Sequence, residues 1–118
     1  MTEEQLHKQI CTYLKLKGVL FNTDLSGIKM SIGQARKIKN LRSSRGFPDI
    51  VIYEPKNGYH GLFLEVKKQT PYKKNGELKK NDHLQEQMDM IGELESRGYK
   101  AYFVWNFDQA KKIIDNYL

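Results

Sequence analysis

The sequence predicts a single α/β domain over residues 1–118, and three observations support this prediction. The length of 118 residues is close to the commonest size of one domain. Hydrophobic residues make up 39% of the chain, enough for one modest core. Stretches with helical spacing of apolar residues alternate with short runs rich in Val, Ile and Phe. The resulting order is helix, strand, helix, strand, strand, helix, strand, helix, which is typical of a sheet covered by helices.

The first three elements lie in the N-terminal third of the chain. Thr2 and Gln5 form a capping box that predicts the start of a helix, and Gly18 predicts its end. A short apolar run over residues 19–21 predicts the first strand. A turn-rich stretch follows, and a short basic helix is expected over residues 32–41.

A β-hairpin is predicted in the middle of the chain. Residues 49–53 are rich in Ile and Val, and residues 61–68 alternate between the two faces of a strand. Between them, the Asn57–Gly58 pair favours a tight hairpin turn.

The C-terminal third predicts the remaining elements. Residues 71–81 read as a polar, lysine-rich loop, and residues 82–97 as a helix that Gly98 ends. Residues 99–105 predict a buried strand. Asp108 is expected to cap a last helix.

The composition excludes several classes of protein. No run of about 18 apolar residues exists, so no transmembrane helix is predicted, and the acidic, polar start MTEEQLHKQ is unlike a secretory signal. The single Cys11 excludes an internal disulfide and fits a reducing compartment. We therefore expect a cytoplasmic protein with no membrane partner.

Basic residues are concentrated in the middle of the chain. The formal net charge is +6, whereas residues 29–83 alone hold thirteen basic and five acidic residues, a net +8. Two clusters dominate this excess: Lys29, Arg36, Lys37, Lys39, Arg42 and Arg45 in the first, and Lys67, Lys68, Lys73, Lys74, Lys79 and Lys80 in the second. Patches of this kind attract polyanions, of which nucleic acid is the usual one.

Two carboxylates and a lysine are predicted to converge at the hairpin. Glu65 and Lys67 are two residues apart in a strand and project from the same face. If the hairpin centres near residue 57, Asp49 lies opposite Glu65, roughly 5 Å away at Cβ. Carboxylates this close are unfavourable unless one is protonated or a cation lies between them. Mg²⁺ suits such a pair, and metal-assisted phosphodiester hydrolysis follows, with Lys67 orienting the water or stabilising the phosphate.

These motifs resemble a known family. The run GFPD at residues 46–49, followed by EVK at residues 65–67, is similar to the PD-(D/E)xK nuclease pattern. The fuller run GFPDIVIYEP…GLFLEVKK…LQEQMDMIGELESRGYKAYFV resembles the VRR-NUC family of that superfamily, in its small stand-alone, phage-type form. The resemblance implies a restriction-endonuclease-like core of the order αβββαβ, with a mixed central sheet flanked by helices.

The resemblance also implies roles for particular residues. Asp49 and Glu65 match the metal ligands of the family, the backbone carbonyl of Val66 would be a third ligand, and Lys67 matches the catalytic lysine.

Two further positions are implied with alternatives. The glutamine of the family falls on the helix after the lysine strand, at Gln87, with Gln85 as the alternative. An acidic residue of the first helix matches Glu3, with Glu4 as its rival; a favourable interaction with the helix dipole explains an acid there equally well.

The function implied is a Mg²⁺-dependent DNA endonuclease, with Mn²⁺ as a substitute ion. Basic contacts position a protein on DNA without reading sequence, so a structure-selective enzyme is expected. The family resemblance implies action on branched DNA, such as a four-way junction or a flap. The residues expected to grip phosphates are Lys29, Arg36, Lys37, Lys39, Arg42, Arg45, Lys68, Lys73 and Lys74. Symmetric nicking of two strands would require a homodimer. The alternative is a non-catalytic nucleic-acid-binding module on the same fold.

Overall fold

A mixed four-stranded sheet forms the centre of the molecule. The computed structural model describes residues 1–24, 31–41 and 46–118. In chain order the elements of these residues are α1 (Glu3–Leu16), β1 (Phe21–Thr23), α2 (Ile32–Leu41), β2 (Ile50–Ile52), β3 (Leu62–Val66), α3 (Asp82–Ser96), β4 (Lys100–Val104) and α4 (Phe107–Tyr117). The strands lie side by side in the order β1-β2-β3-β4; the first three are antiparallel, and β4 is parallel to β3. The predicted α/β class and restriction-endonuclease-like core are confirmed.

The hairpin between β2 and β3 has the predicted register. Ile50 lies opposite Leu64, and Ile52 lies opposite Leu62. The turn between them uses Asn57 at φ 53° together with a glycine at φ 84°, the left-handed pair that a tight hairpin turn requires. Because this pairing is centred on residue 57, its continuation by one position sets Asp49 against Glu65.

One face of the sheet is covered by α1 and α4. Side chains from both helices and from all strands except β1 form a fully apolar core there. Its buried members are Leu6, Ile10, Leu14, Ile50, Ile52, Leu62, Leu64, Val66, Val104, Ala110, Ile114 and Tyr117. We call this the sealed face.

The opposite face is covered by α3. Its core is smaller, and its buried apolar members are Ile91, Leu94, Ala101 and Phe103. Two polar side chains, Glu65 and Gln87, are buried among the described residues, at 4% and 5% exposure. Glu65 projects from β3 to this side because alternate residues of a strand point to opposite faces. We call this the α3 face.

The remaining helix, α2, has the predicted bounds but buries no side chain. Its apolar ends are open to solvent, with Ile32 at 80% and Leu41 at 86% exposure.

Two local predictions need correction. The first strand begins at Phe21 rather than at residue 19, and Leu20 is exposed. The last helix is capped by Asn106, whose side chain accepts a hydrogen bond from the Gln109 N–H at 2.8 Å, so the prediction of Asp108 as cap is wrong. The lysine-rich segment is a loop, as predicted, with one β-bridge between Tyr72 and Leu78.

Candidate functional site

The carboxylates of Asp49 and Glu65 meet on the α3 face, at the end of β3. Asp49 immediately precedes β2, and its Oδ2 accepts a hydrogen bond from the Val66 N–H at 2.9 Å. Glu65 in turn shares a side-chain hydrogen bond with Asp49. Two carboxyl groups can share such a bond only if one of them carries a proton.

The electrostatics of the pair explain where that proton resides. Burial raises the pKa of Glu65 most strongly, and the hydrogen bond to Asp49 and its charge raise it further, to about 10. The nearby charge of Lys67 lowers this pKa, and that of Glu3 raises it. At neutral pH and without a cation, Glu65 is therefore protonated.

Lys67 lies on the same side as Glu65. Its backbone N–H continues the ladder by donating to the Val104 carbonyl at 2.8 Å, and its ammonium lies over the ring of Phe103, 6.0 Å from the centroid. The side chain is half-buried. The structure thus brings the predicted lysine beside the predicted carboxylates.

The position of Gln87 follows from the path of α3. This helix connects parallel strands and therefore runs back along them. Gln87 lies roughly 13 Å before the helix end at Ser96, at about 1.5 Å per residue. β3 has a similar length, roughly 13 Å at about 3.3 Å per residue. Gln87 is therefore level with the end of β3 that carries Glu65.

The two candidate glutamines differ sharply in their surroundings. In the part of the chain that the structure describes, Gln87 Oε1 is the buried side-chain polar atom that lacks a hydrogen-bond partner. Gln85 is exposed, and its amide donates to Asp89 Oδ1 at 2.8 Å. A buried amide oxygen without a partner is destabilising, so Gln87 is the glutamine whose placement calls for a ligand.

Gly46 connects the loop before Asp49 to α3. It adopts φ +84°, and a Cβ atom there would lie 2.8 Å from the backbone oxygen of Glu86 and 3.4 Å from the Cα of Gln87. A side chain is therefore excluded by both conformation and space. Sequence reasoning used Gly46 only as part of a motif and did not predict this contact.

An open cleft of about 730 Å³ adjoins the carboxylates on the side of α1. Glu3 and Glu4 both line it, together with Lys68 and Asp49. Of the two glutamates, Glu3 is tied to the strand end: its Oε1 accepts a hydrogen bond from the Lys68 N–H at 3.2 Å. Its charge also acts on Glu65.

Two further residues that the sequence did not single out support Asp49. The Asp49 carbonyl accepts hydrogen bonds from the Asp24 N–H at 2.7 Å and from the Thr23 hydroxyl at 3.2 Å. That hydroxyl also contacts His7 Nε2. The sequence could have pointed to His7, because it is one helical turn after Glu3 and therefore lies on the same face of α1.

The oxygen donors of the site suit some metal ions better than others. No group of three or more His, Cys, Asp and Glu side chains with a metal-binding arrangement occurs within residues 1–24, 31–41 and 46–118. Asp49 and Glu65 supply two carboxylates, and Val66 lies at the same strand end. Two oxygen ligands with room for water fit a hard ion such as Mg²⁺ better than an ion that needs a full protein cage. A cation would also compensate the charges of two carboxylates that lie this close together. The residues present therefore fit such an ion.

The predicted phosphate-binding residues are spread over several elements. Lys68 lines the cleft beside Asp49, and Lys73 and Lys74 are exposed in the segment before α3. The helix α2 exposes Arg36, Lys37 and Lys39. Lys29, Arg42 and Arg45 fall outside the described residues.

No helix in the described part of the chain is long and apolar enough to cross a membrane.

Comparison with known proteins supports the fold. A solved structure described as a "VRR_NUC domain protein" matches 99% of this chain and 88% of its own chain, with a TM-score of 0.63 and 22% sequence identity. No protein-family model and no curated protein matches the chain. The resemblance to a VRR-NUC domain is thus confirmed as a likeness of fold.

Proposed function

We propose that the chain is a Mg²⁺-dependent DNA endonuclease that hydrolyses phosphodiester bonds. The observation that carries this proposal is the convergence of Asp49 with the buried carboxyl of Glu65 at the end of β3, on the side that also carries Lys67. A buried pair of carboxylates is destabilising unless positive charge compensates it. The fold shared with a protein described as a VRR_NUC domain protein supports the same reaction class.

The site residues would have different roles in such a reaction. Asp49, Glu65 and the backbone carbonyl of Val66 would hold the ion, with Glu3 adding negative charge from α1. Bound there, Mg²⁺ would supply Lewis-acid polarisation of the phosphate and compensate its developing charge. Glu65 would have to lose its proton for both carboxylates to hold the ion.

Lys67 and Gln87 would act on the other reactants. The ammonium of Lys67 donates hydrogen bonds to the attacking water or to a phosphate oxygen, and stabilises negative charge as it develops. The Oε1 atom of Gln87 accepts a hydrogen bond from the same water, which gives this buried acceptor its partner.

The expected substrate is DNA, bound mainly through its phosphates. Lys68 in the cleft, together with the exposed basic residues of α2 and of the segment before α3, would give affinity that falls steeply with salt. Because phosphate contacts carry no sequence information, we propose structure-selective cleavage of branched DNA. Cutting two strands symmetrically would require a homodimer. The enzyme would act in the cytoplasm, and in a bacterial host cell if a phage encodes it.

A cleavage assay tests the proposal. Wild-type protein is incubated with supercoiled plasmid, a flap and a four-way junction, in Mg²⁺, Mn²⁺ or EDTA. We expect cleavage in either ion and none in EDTA. Lys67→Ala should reduce the rate by about 10²- to 10⁴-fold, whereas Lys112→Ala, an exposed lysine of α4 across the sheet, should cut at the wild-type rate.

Two results would contradict the proposal. If wild type binds these DNAs but cleaves none of them in either ion, the chain is a non-catalytic binding module. If Lys67→Ala cleaves as fast as wild type, the assigned role of the lysine is wrong.

A further inference from the structure

Phe47 exposes an aromatic ring next to the candidate site. Its side chain is 43% exposed, although the backbone on both sides is held in place. Gly46 lies against the backbone of α3, and Pro48, with its fixed φ, is buried. Phe47 thus lies between two residues that are packed against the rest of the fold.

The ring forms one wall of an apolar groove along α3. The groove encloses about 390 Å³ and is lined by Phe47, Met90, Leu94, Glu93 and Arg97. Met90 and Leu94 supply apolar surface, while Glu93 and Arg97 form an ion pair at the rim. An apolar surface with a charged rim is typical of a site that takes a flat, partly polar group.

Phe47 connects the groove to the candidate site through the chain. Phe47 and Asp49 are two residues apart, so their Cα atoms are separated by about 7 Å at most. Bases along a strand are spaced by about 3.4 Å. When a phosphate lies at Asp49 and Glu65, a base of an adjoining nucleotide is therefore within reach of the Phe47 ring.

We propose that Phe47 is a stacking platform for an unpaired nucleobase next to the phosphodiester that is cleaved. This inference rests on the proposed function and names the feature of DNA that the site selects. A base within a continuous duplex is stacked between its neighbours and cannot lie flat on a protein ring. A base at a branch point or in a single strand is free to do so, and every base has a π-face.

Stacking of this kind selects DNA structure without reading sequence. It complements the phosphate contacts, which hold duplex and branched DNA alike. The ring thus provides a preference for branched DNA that basic residues alone do not.

Binding measurements without cleavage test the inference. The Lys67→Ala background in EDTA is combined with Phe47→Ala, Phe47→Trp or Tyr53→Ala. Tyr53 is the matched control, because it is 50% exposed and lies just beyond the other end of β2. The probes are a flap DNA with 2-aminopurine at the unpaired position beside the junction and a fully paired duplex of equal length. Anisotropy gives the dissociation constants, and 2-aminopurine fluorescence reports stacking.

We expect Phe47→Ala to weaken flap binding by about tenfold, since stacking on one aromatic ring is of this order. Duplex binding should change by less than about twofold. Quenching of 2-aminopurine should be lost in Phe47→Ala, retained in Phe47→Trp and unaffected by Tyr53→Ala.

Several outcomes would overturn the inference. They are equal weakening of flap and duplex binding, unchanged quenching in Phe47→Ala, and failure of Phe47→Trp to preserve flap binding. A change in oligomeric state on sedimentation, with DNA binding intact, would instead assign the groove to protein contact.

The inference and the proposed function can fail separately. If wild type cleaves branched DNA and Phe47→Ala keeps its preference for flap over duplex, only the stacking site is refuted. If nothing is cleaved but the flap preference depends on Phe47, only the hydrolysis is refuted.

Discussion

The two faces of the sheet bury different kinds of side chain. The sealed face, under α1 and α4, buries apolar side chains and Tyr117, whose hydroxyl donates a hydrogen bond to the Glu54 carbonyl. The α3 face has the smaller core and buries Glu65 and Gln87 as well. β3 belongs to both, because Leu64 points to the sealed face and Glu65, the next residue, points to α3. The pleat of one strand thus separates the groups that stabilise the fold from those that would perform chemistry.

This division has an energetic reason. Burial of a full-sized apolar side chain contributes about 1.5–3 kcal/mol, whereas a buried carboxylate or an unpaired amide oxygen is destabilising. A small domain has little stability in reserve. It can therefore retain buried polar groups on one face only if the other face is well packed. Mutations on the two faces should have opposite signatures.

The largest effect is expected for Glu65→Gln. Cleavage should fall by at least about a thousandfold, because the variant lacks one of the two carboxylates that would hold the ion. The free energy of unfolding at pH 7 in EDTA should rise in the variant, because wild-type Glu65 must take up a proton on folding at this pH and a neutral amide does not. Cleavage rates and urea unfolding measure the two quantities. A stability loss as large as the activity loss would contradict the division between the faces.

The same variant should alter the pH dependence of stability. The pKa of Glu65 is raised from 4.5 to about 10 on folding, so the folded protein binds more protons than the unfolded chain between these values. Stability in EDTA should therefore be greatest below pH 4.5, as far as this group contributes, and decline as the pH rises toward 10. Thermal melting across this range should show a shallower decline in Glu65→Gln. An identical slope in both proteins would refute the raised pKa.

On the sealed face, Leu62→Ala should reduce the free energy of unfolding by about 2–5 kcal/mol, because it leaves a cavity in a fully buried position. Cleavage by the folded protein, measured well below its melting temperature, should stay close to wild type. Leu20→Ala is the matched control: this leucine is 66% exposed, and its truncation should change stability by less than about 0.5 kcal/mol. Lost activity in fully folded Leu62→Ala would show that the faces are coupled.

A comparison of Gly46→Ala with Gly76→Ala separates the effect of a positive φ from the effect of the close contact with α3. Both glycines have positive φ, at +84° and +87°, but a Cβ atom at Gly76 would meet nothing within 4 Å. Gly76→Ala should destabilise by about 1 kcal/mol through backbone strain alone. Gly46→Ala should destabilise by about 2–3 kcal/mol and slow cleavage on the order of tenfold, since Asp49 moves with the loop. Equal effects of the two substitutions would refute the contact with α3.

The smallest effect is expected for Gln87→Leu. The variant should be more stable than wild type by about 1 kcal/mol, because it removes a buried acceptor without a partner, and it should cleave roughly tenfold more slowly. Gln85→Leu, at an exposed position two residues away, should change both quantities very little. Guanidinium unfolding and cleavage rates on both proteins decide between the two glutamines.

The convergence of Asp49 with Glu65 was predictable because β2 and β3 are neighbours in sequence and pair about residue 57. The register of the pair fixes which side chains face each other. The Mg²⁺ ion and the roles of the site residues remain predictions.

Other features depend on contacts between distant parts of the chain, which spacing does not reveal. The proximity of Gly46 to Glu86 requires the path of α3 over the sheet. The cap of α4 was missed for a local reason, because Asn106 and Asp108 are both good capping residues and only the backbone conformation selects the first.

The pairing of β2 with β3 also limits which insertions and deletions the gene can tolerate. Gain or loss of one codon in β2 or β3 would slip the pairing by one position and turn every following side chain to the other face. The carboxylate of the slipped strand would then point into the sealed core, while apolar side chains of that strand would meet α3. Lineages that keep this domain should therefore tolerate very few in-frame insertions between Asp49 and Lys67 outside the turn itself.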